Sequence, residues 1–124
     1  MRKIMLFVAL TTAVMAMGMR WAGVQVSEAK LGTGVQDRAL TGEGTSFPAG
    51  SQVYVWMSLT GAQAGDAVTV TWKRGGQAVL TTKLDVGGSP WRTWAQKTVT
   101  AGSWDASISD PSGTVLKDLP FTVK

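Results

Sequence analysis

The amino-acid sequence predicts an all-β chain, an antiparallel sandwich of seven to eight strands that follows an N-terminal signal helix. Three observations carry that prediction. Apolar and polar residues alternate with a period of two in several segments, as in strands with one buried face. Turn residues, above all the 15 glycines, interrupt these segments about every 8–12 residues, the spacing of a β-sandwich. No stretch beyond the leader repeats its apolar residues at the 3.6-residue period of an amphipathic helix.

The leader comes first. Arg2 and Lys3 form a basic start, Ile4 to Met17 is uncharged, and Ala16-Met17-Gly18 offers the small residues that a signal peptidase reads. Residues 1–18, or up to about residue 22, are therefore expected to be a signal peptide, and residues 23–124 a single β-sandwich domain. The apolar run is shorter than the roughly 20 residues of a spanning helix, and an uncleaved N-terminal anchor is the alternative. No cysteine follows, which excludes a lipoprotein-type anchor. The implied location is export, to the periplasm or beyond the cell.

The strands follow in order. Val24 to Leu31 shifts its apolar phase near Ser27, as a β-bulge would make it do. Residues 32–50 form a long Gly/Thr/Ser-rich stretch with one short edge strand expected over Val35 to Leu40, and Phe47-Pro48 is expected to plug the core. Val53, Val55, Met57 and Leu59 share one face of the clearest strand, with Gln52, Tyr54, Trp56 and Ser58 opposite. Val68, Val70 and Trp72 alternate with Thr69, Thr71 and Lys73. Gly75-Gly76 then closes a tight hairpin, since both glycines accept positive φ. In the returning strand, Ala78, Leu80 and Leu84 face one way and Val79, Lys83 and Asp85 the other. After Gly87-Gly88-Ser89-Pro90, Trp91, Ala95 and Val99 oppose Arg92, Trp94, Gln96 and Thr98. Lys97 would face inward, so a slip of phase is expected there. Trp104, Ala106 and Ile108 mark the next strand, Asp110-Pro111-Ser112-Gly113 a turn, and Leu119, Phe121 and Val123 the last strand.

The whole chain carries 12 basic and 8 acidic residues. Two of the basic ones, Arg2 and Lys3, lie in the leader, so the remainder holds about +2. Its basic residues are scattered, which argues against nucleic acid as a partner. The chain has no Cys and no His. It therefore offers no thiol nucleophile, no imidazole base and no Cys or His metal ligand. The acids form neither a calcium loop nor an evident catalytic carboxylate pair. The expectation is a non-enzyme with no catalytic residue, no metal and no cofactor. Asp37-Arg38 and Glu43 are read as an ion pair pinning the long loop.

Six tryptophans need places. Trp72, Trp91 and Trp104 are in phase with aliphatic neighbours and belong to the core. Trp21 falls beside the leader. Tyr54, Trp56, Arg92 and Trp94 fall on the non-core faces of two strands. If those strands share a sheet, the four residues form an exposed aromatic platform suited to stacking on sugar rings. Alternatively, a loop covers the rings, or Arg92 stacks on Trp94 as a structural lock.

Several segments together resemble the bacterial domain of unknown function numbered 2914. They are Asp37-Arg38, Phe47-Pro48-Ala49-Gly50, Val53-Tyr54-Val55-Trp56, Val70-Thr71-Trp72-Lys73, Trp91-Arg92-Thr93-Trp94, Gly102-Ser103-Trp104-Asp105 and Phe121-Thr122-Val123. The resemblance covers roughly residues 26–123. Many members are expected to carry a His where this chain has Val70, so any role of that His is missing here. The resemblance implies an envelope-associated or secreted β domain and no activity. The resulting expectation is an immunoglobulin-like sandwich that binds a glycan or an envelope protein through its aromatic face. The alternative is a structural or assembly subunit that self-associates through strand edges or packing. A membrane would be a partner only through an uncleaved leader.

Overall fold

The computed structural model describes residues 23–124. The expected signal peptide and Trp21 lie outside the described residues.

Among the described residues ten strands run in chain order: β1 (Gln25–Gly32), β2 (Gly34–Gln36), β3 (Ala39–Thr41), β4 (Ser46–Phe47), β5 (Gln52–Thr60), β6 (Asp66–Arg74), β7 (Gln77–Val86), β8 (Trp91–Thr98), β9 (Gly102–Ser109) and β10 (Val115–Val123). Eight of them build two sheets. One has five strands in the order β4-β10-β9-β6-β7 and the other three in the order β1-β5-β8. The pairing is antiparallel except for β4, which runs parallel to β10. β2 and β3 form a separate hairpin.

The two sheets close on one core. Val53, Val55, Met57 and Leu59 of β5 are fully buried, as are Val68, Val70 and Trp72 of β6. These are the residues that a period of two places on one face of each strand. Phe121 is the aromatic hub. It stacks on Trp104 at 6.0 Å and meets Phe47 and Trp72 edge-on at 5.8 and 6.3 Å, the offset and T-shaped geometries that ring quadrupoles favour. Trp72 Nε1 is buried there without a hydrogen-bond partner.

Local chemistry explains the connections. The β1 ladder skips between Val26 and Glu28, which makes Ser27 the expected bulge. Gly75 and Gly76 have φ of 59° and 85°, so the β6–β7 hairpin closes in two residues as its glycines require. Asp110 Oδ1 accepts from Ser112 N at 2.9 Å, Ser112 Oγ at 2.6 Å and Thr114 N at 2.9 Å. That carboxylate organises the turn into β10.

Four expectations need correction. The single edge strand over Val35 to Leu40 is instead the β2–β3 hairpin, turning at Asp37-Arg38. No phase slip occurs at Lys97. It pairs in register with Val53 and is only half-buried, with Nζ 5.9 Å from the Trp104 ring. Trp91 is half-buried and packs against the core margin rather than inside it. Asp37, Arg38 and Glu43 form no ion pair with one another. Glu43 instead lies 3.9 Å from Lys30, which also contacts Glu28 at 2.8 Å.

Candidate functional site

The candidate site is the outer face of the three-stranded sheet. β5 is its middle strand, so side chains alternating with Val53, Val55 and Met57 must stand on that outer face. The register sets them beside their neighbours. Tyr54 lies between Gly32 and Gln96, Trp56 between Lys30 and Trp94, and Ser58 between Glu28 and Arg92. The four candidates Tyr54, Trp56, Arg92 and Trp94 are thus brought onto one face, with the two tryptophans directly opposite each other.

They are not equally open. Arg92 is exposed, and Tyr54 and Trp94 are half-buried. Trp56 is only 7% exposed, which corrects the expectation of a fully open platform. Its cover is the β2–β3 hairpin. The chain leaves β1 at Gly32 and folds straight back over the sheet. A Cβ at Gly32 would stand 2.5 Å from Thr41 O and 2.7 Å from Leu40 Cδ1. Only glycine permits so close an approach. Thr33 N donates to Thr41 O at 3.0 Å, and Gly44 N to Leu31 O at 3.0 Å.

The hairpin is bolted down at its tip. Trp56 Nε1 donates to Arg38 O at 2.8 Å. Lys30 Nζ stands 5.8 Å from the Trp56 ring, and the Glu28 carboxylate bonded to it raises the lysine's pKa. Asp37 and Arg38 have φ of 50° and 63°. A two-residue hairpin turn of this hand needs both values positive, and Asn-Gly or Asp-Gly is its usual sequence. An arginine at the second position is strained. The hydrogen bond from Trp56 helps to hold it there.

Between the hairpin tip and the start of β8 lies an open groove of about 400 Å³. Glu28, Arg38, Trp56, Ser58, Trp91 and Arg92 line it. Both arginines lie more than 4 Å from any carboxylate among the described residues, whereas Glu28 is engaged by Lys30. The groove is therefore electropositive, and the Trp56 and Trp91 indoles line it. Among the described residues, no three Asp, Glu, His or Cys gather as a metal site would need. No helix there is long and apolar enough to cross a membrane.

The sequence placed Tyr54, Trp56, Arg92 and Trp94 away from the core, where the structure has them on one face, but it read Arg38 in an ion pair and not beside them. The missing signal was tertiary. Nothing local to Asp37-Arg38 announces a positive-φ turn, and only the Trp56 indole beneath reveals it.

Residues 66–123, from β6 to β10, match the model of a family described as Protein of unknown function (DUF2914). That span is narrower than residues 26–123, and it includes Arg92 and Trp94 but not Tyr54 or Trp56. No curated protein matches the chain. Among solved structures, the chain is similar to an immunoglobulin-like protein from Pseudomonas aeruginosa. The TM-score is 0.66 and the sequence identity 16%, with 86% of this chain and 100% of that one covered. At such identity the likeness is one of fold. This chain thus has an immunoglobulin-like all-β fold, and its segment 66–123 matches the DUF2914 family model.

Proposed function

We propose that the chain is a non-catalytic binding module of the bacterial envelope that recognises a glycan through the outer face of its three-stranded sheet. One observation carries the reading. Trp94 and Tyr54 stand half-open on that face beside Arg92 and next to an open groove. Elsewhere the described tryptophans pack in or against the core. Flat rings at cross-strand spacing stack on the apolar faces of pyranoses, and a guanidinium adds hydrogen bonds to hydroxyls. The leader read from the sequence supports export. The fold, the absence of Cys and His, and the scattered acids support a role without catalysis.

The test is a titration of envelope-type oligosaccharides followed by tryptophan fluorescence. A saturable change that Trp94→Ala reduces at least tenfold supports the reading. A flat response across neutral and acidic glycans, equal in wild type and Trp94→Ala, rejects it.

A second reading has its own observation. β7 is a ten-residue edge strand of the five-stranded sheet. It carries no charge from Gln77 to Thr82 and leaves Val79 50% and Leu80 41% exposed. Such edges accept another strand, so β7 supports self-assembly. Size-exclusion chromatography decides. A concentration-dependent oligomer dissolved by Leu80→Lys favours assembly, and a monomer at all concentrations rejects it.

A further inference from the structure

We infer that the groove between the hairpin tip and β8 is a clamp for an acidic sugar, its carboxylate held between Arg38 and Arg92. The inference rests on the binding-module reading and adds to it the class of ligand and a residue that the aromatic face alone does not indicate.

The Arg38 backbone is anomalous. Arg38 sits at φ 63°, where glycine would be unstrained and where a two-residue hairpin normally has it. Packing does not call for the arginine, because its side chain is exposed. No carboxylate lies within 4 Å among the described residues, so an ion pair does not call for it either. Only its backbone is used by the fold, through the bond from Trp56 Nε1 to Arg38 O at 2.8 Å, and glycine would supply that carbonyl equally well. What the arginine adds is a guanidinium on the rim of a groove. Strain retained at a site without a structural return is characteristic of function.

The groove supplies the rest. Arg92 lines the same space and also lacks an acidic partner. The one acid on the rim, Glu28, is occupied by Lys30 at 2.8 Å. Two unpaired guanidinium groups that line one groove suit a carboxylate, which each can bind in a planar, charge-assisted way. The volume of about 400 Å³ lies within the range of small-ligand sites. Trp56 and Trp91 border it, and Trp94 continues the aromatic surface across the strand from Trp56. A carboxylate attached to a pyranose ring meets both features at once. An acidic peptide would use the arginines but leave the indole surface without a flat apolar counterpart.

The probe is a tetramer of galacturonic acid, with its methyl-esterified counterpart as the uncharged control. Calorimetry on the full chain should show the acid binding at least tenfold tighter than the ester, with affinity falling as NaCl rises from 20 to 200 mM. Arg38→Gly and Arg92→Gln should each weaken acid binding at least tenfold. Arg38→Gly should at the same time raise the Tm by about 4 °C, because glycine relieves the turn. Lost binding in a more stable protein cannot be misfolding.

Equal affinity for acid and ester, lost in Trp94→Ala, would overturn the clamp and leave the binding module standing. Unchanged acid affinity in both arginine variants would do the same. No binding of either tetramer overturns the clamp, as does an Arg38-dependent affinity for polyglutamate without any for the sugar.

Discussion

The two sheets present opposite outer faces. The three-stranded sheet shows Tyr54, Trp56, Trp94, Lys30 and Arg92, with a hairpin folded over part of it. The five-stranded sheet shows Thr69, Thr71 and Lys73 on β6, flanked by Thr81 and Lys83 on β7 and by Asp105 on β9, with Ser107 of β9 buried among them. Both outer faces follow from the same alternation, because each inner face is aliphatic and fully buried at its centre. The difference lies in what an outer position carries. Thr and Lys on the broad face are what any solvated strand tolerates. Large rings on the narrow face cost exposed apolar area unless something covers or uses them. The hairpin covers Trp56, and Trp94 and Tyr54 are left half-open.

The largest expected effect comes from the core that both faces share. Trp72→Ala should cost about 3–5 kcal/mol, read as a collapse of the denaturation midpoint, and should affect both faces alike. Trp72→Phe should cost much less, because the indole N–H it removes has no partner. A cost for Phe equal to that for Ala would contradict the burial of that N–H.

The next effects should separate the faces. Trp56→Phe removes the bond to Arg38 O and leaves a strained turn unpinned, at a cost of about 1–3 kcal/mol. Gly32→Ala should lift the hairpin by forcing Thr41 O away. In both variants amide exchange should quicken over residues 33–42 and stay slow in β6 and β9. Uniform acceleration would mean that the hairpin is not a separate unit laid on the sheet.

The smallest effects are electrostatic and belong to the broad face and its turn. Burial, then the charge of Asp118, pushes the Asp105 carboxyl above the usual range, against the bond from Ser107. Ser107 Oγ lies 3.2 Å from Asp105 Oδ2 and donates to Asp118. A carboxyl raised on folding favours the folded state fully at pH below its unfolded value of about 3.9, and that contribution is lost as pH rises through the folded value. At neutral pH Asp105 is therefore a net cost. Asp105→Asn should stabilise by up to about 1 kcal/mol at pH 7, with the gain vanishing near pH 3. Asp110 has the opposite sign. The bond from the Ser112 hydroxyl, with those from the turn amides, lowers its carboxyl. Its contribution is present above about pH 3.9 and is lost as pH falls through the folded value. Asp110→Asn should thus destabilise at pH 7, and opposite slopes in the two stability profiles would check both assignments.

Strand by strand, the sequence was informative where a signal was local. The β5 alternation, the phase shift at Ser27 and the glycine pair at the β6–β7 turn each carry their own physical cause, and each stands where the pattern put it. The positions that misled share another trait. Leu80 pairs with core residue Trp72 yet is 41% exposed, because β7 is the edge of a sheet two strands wider than its partner. Lys97 faces inward but lies near a margin where its ammonium meets the Trp104 ring. Arg38 has no carboxylate partner and instead closes a turn that lacks the usual glycine.

The sequence by itself determined which side of β5 and β6 turns inward, that the chain reverses at Gly75-Gly76, and that Tyr54, Trp56, Arg92 and Trp94 stand away from the core. A pleated backbone imposes that period on any strand, whatever surrounds it. Only the tertiary structure decided that β5 and β8 lie side by side, that the hairpin roofs Trp56 and not Trp94, and that Arg38 and Arg92 line the same groove. Alternation fixes the direction of a side chain, whereas its cover depends on segments distant in sequence, brought together by the closing of two unequal sheets.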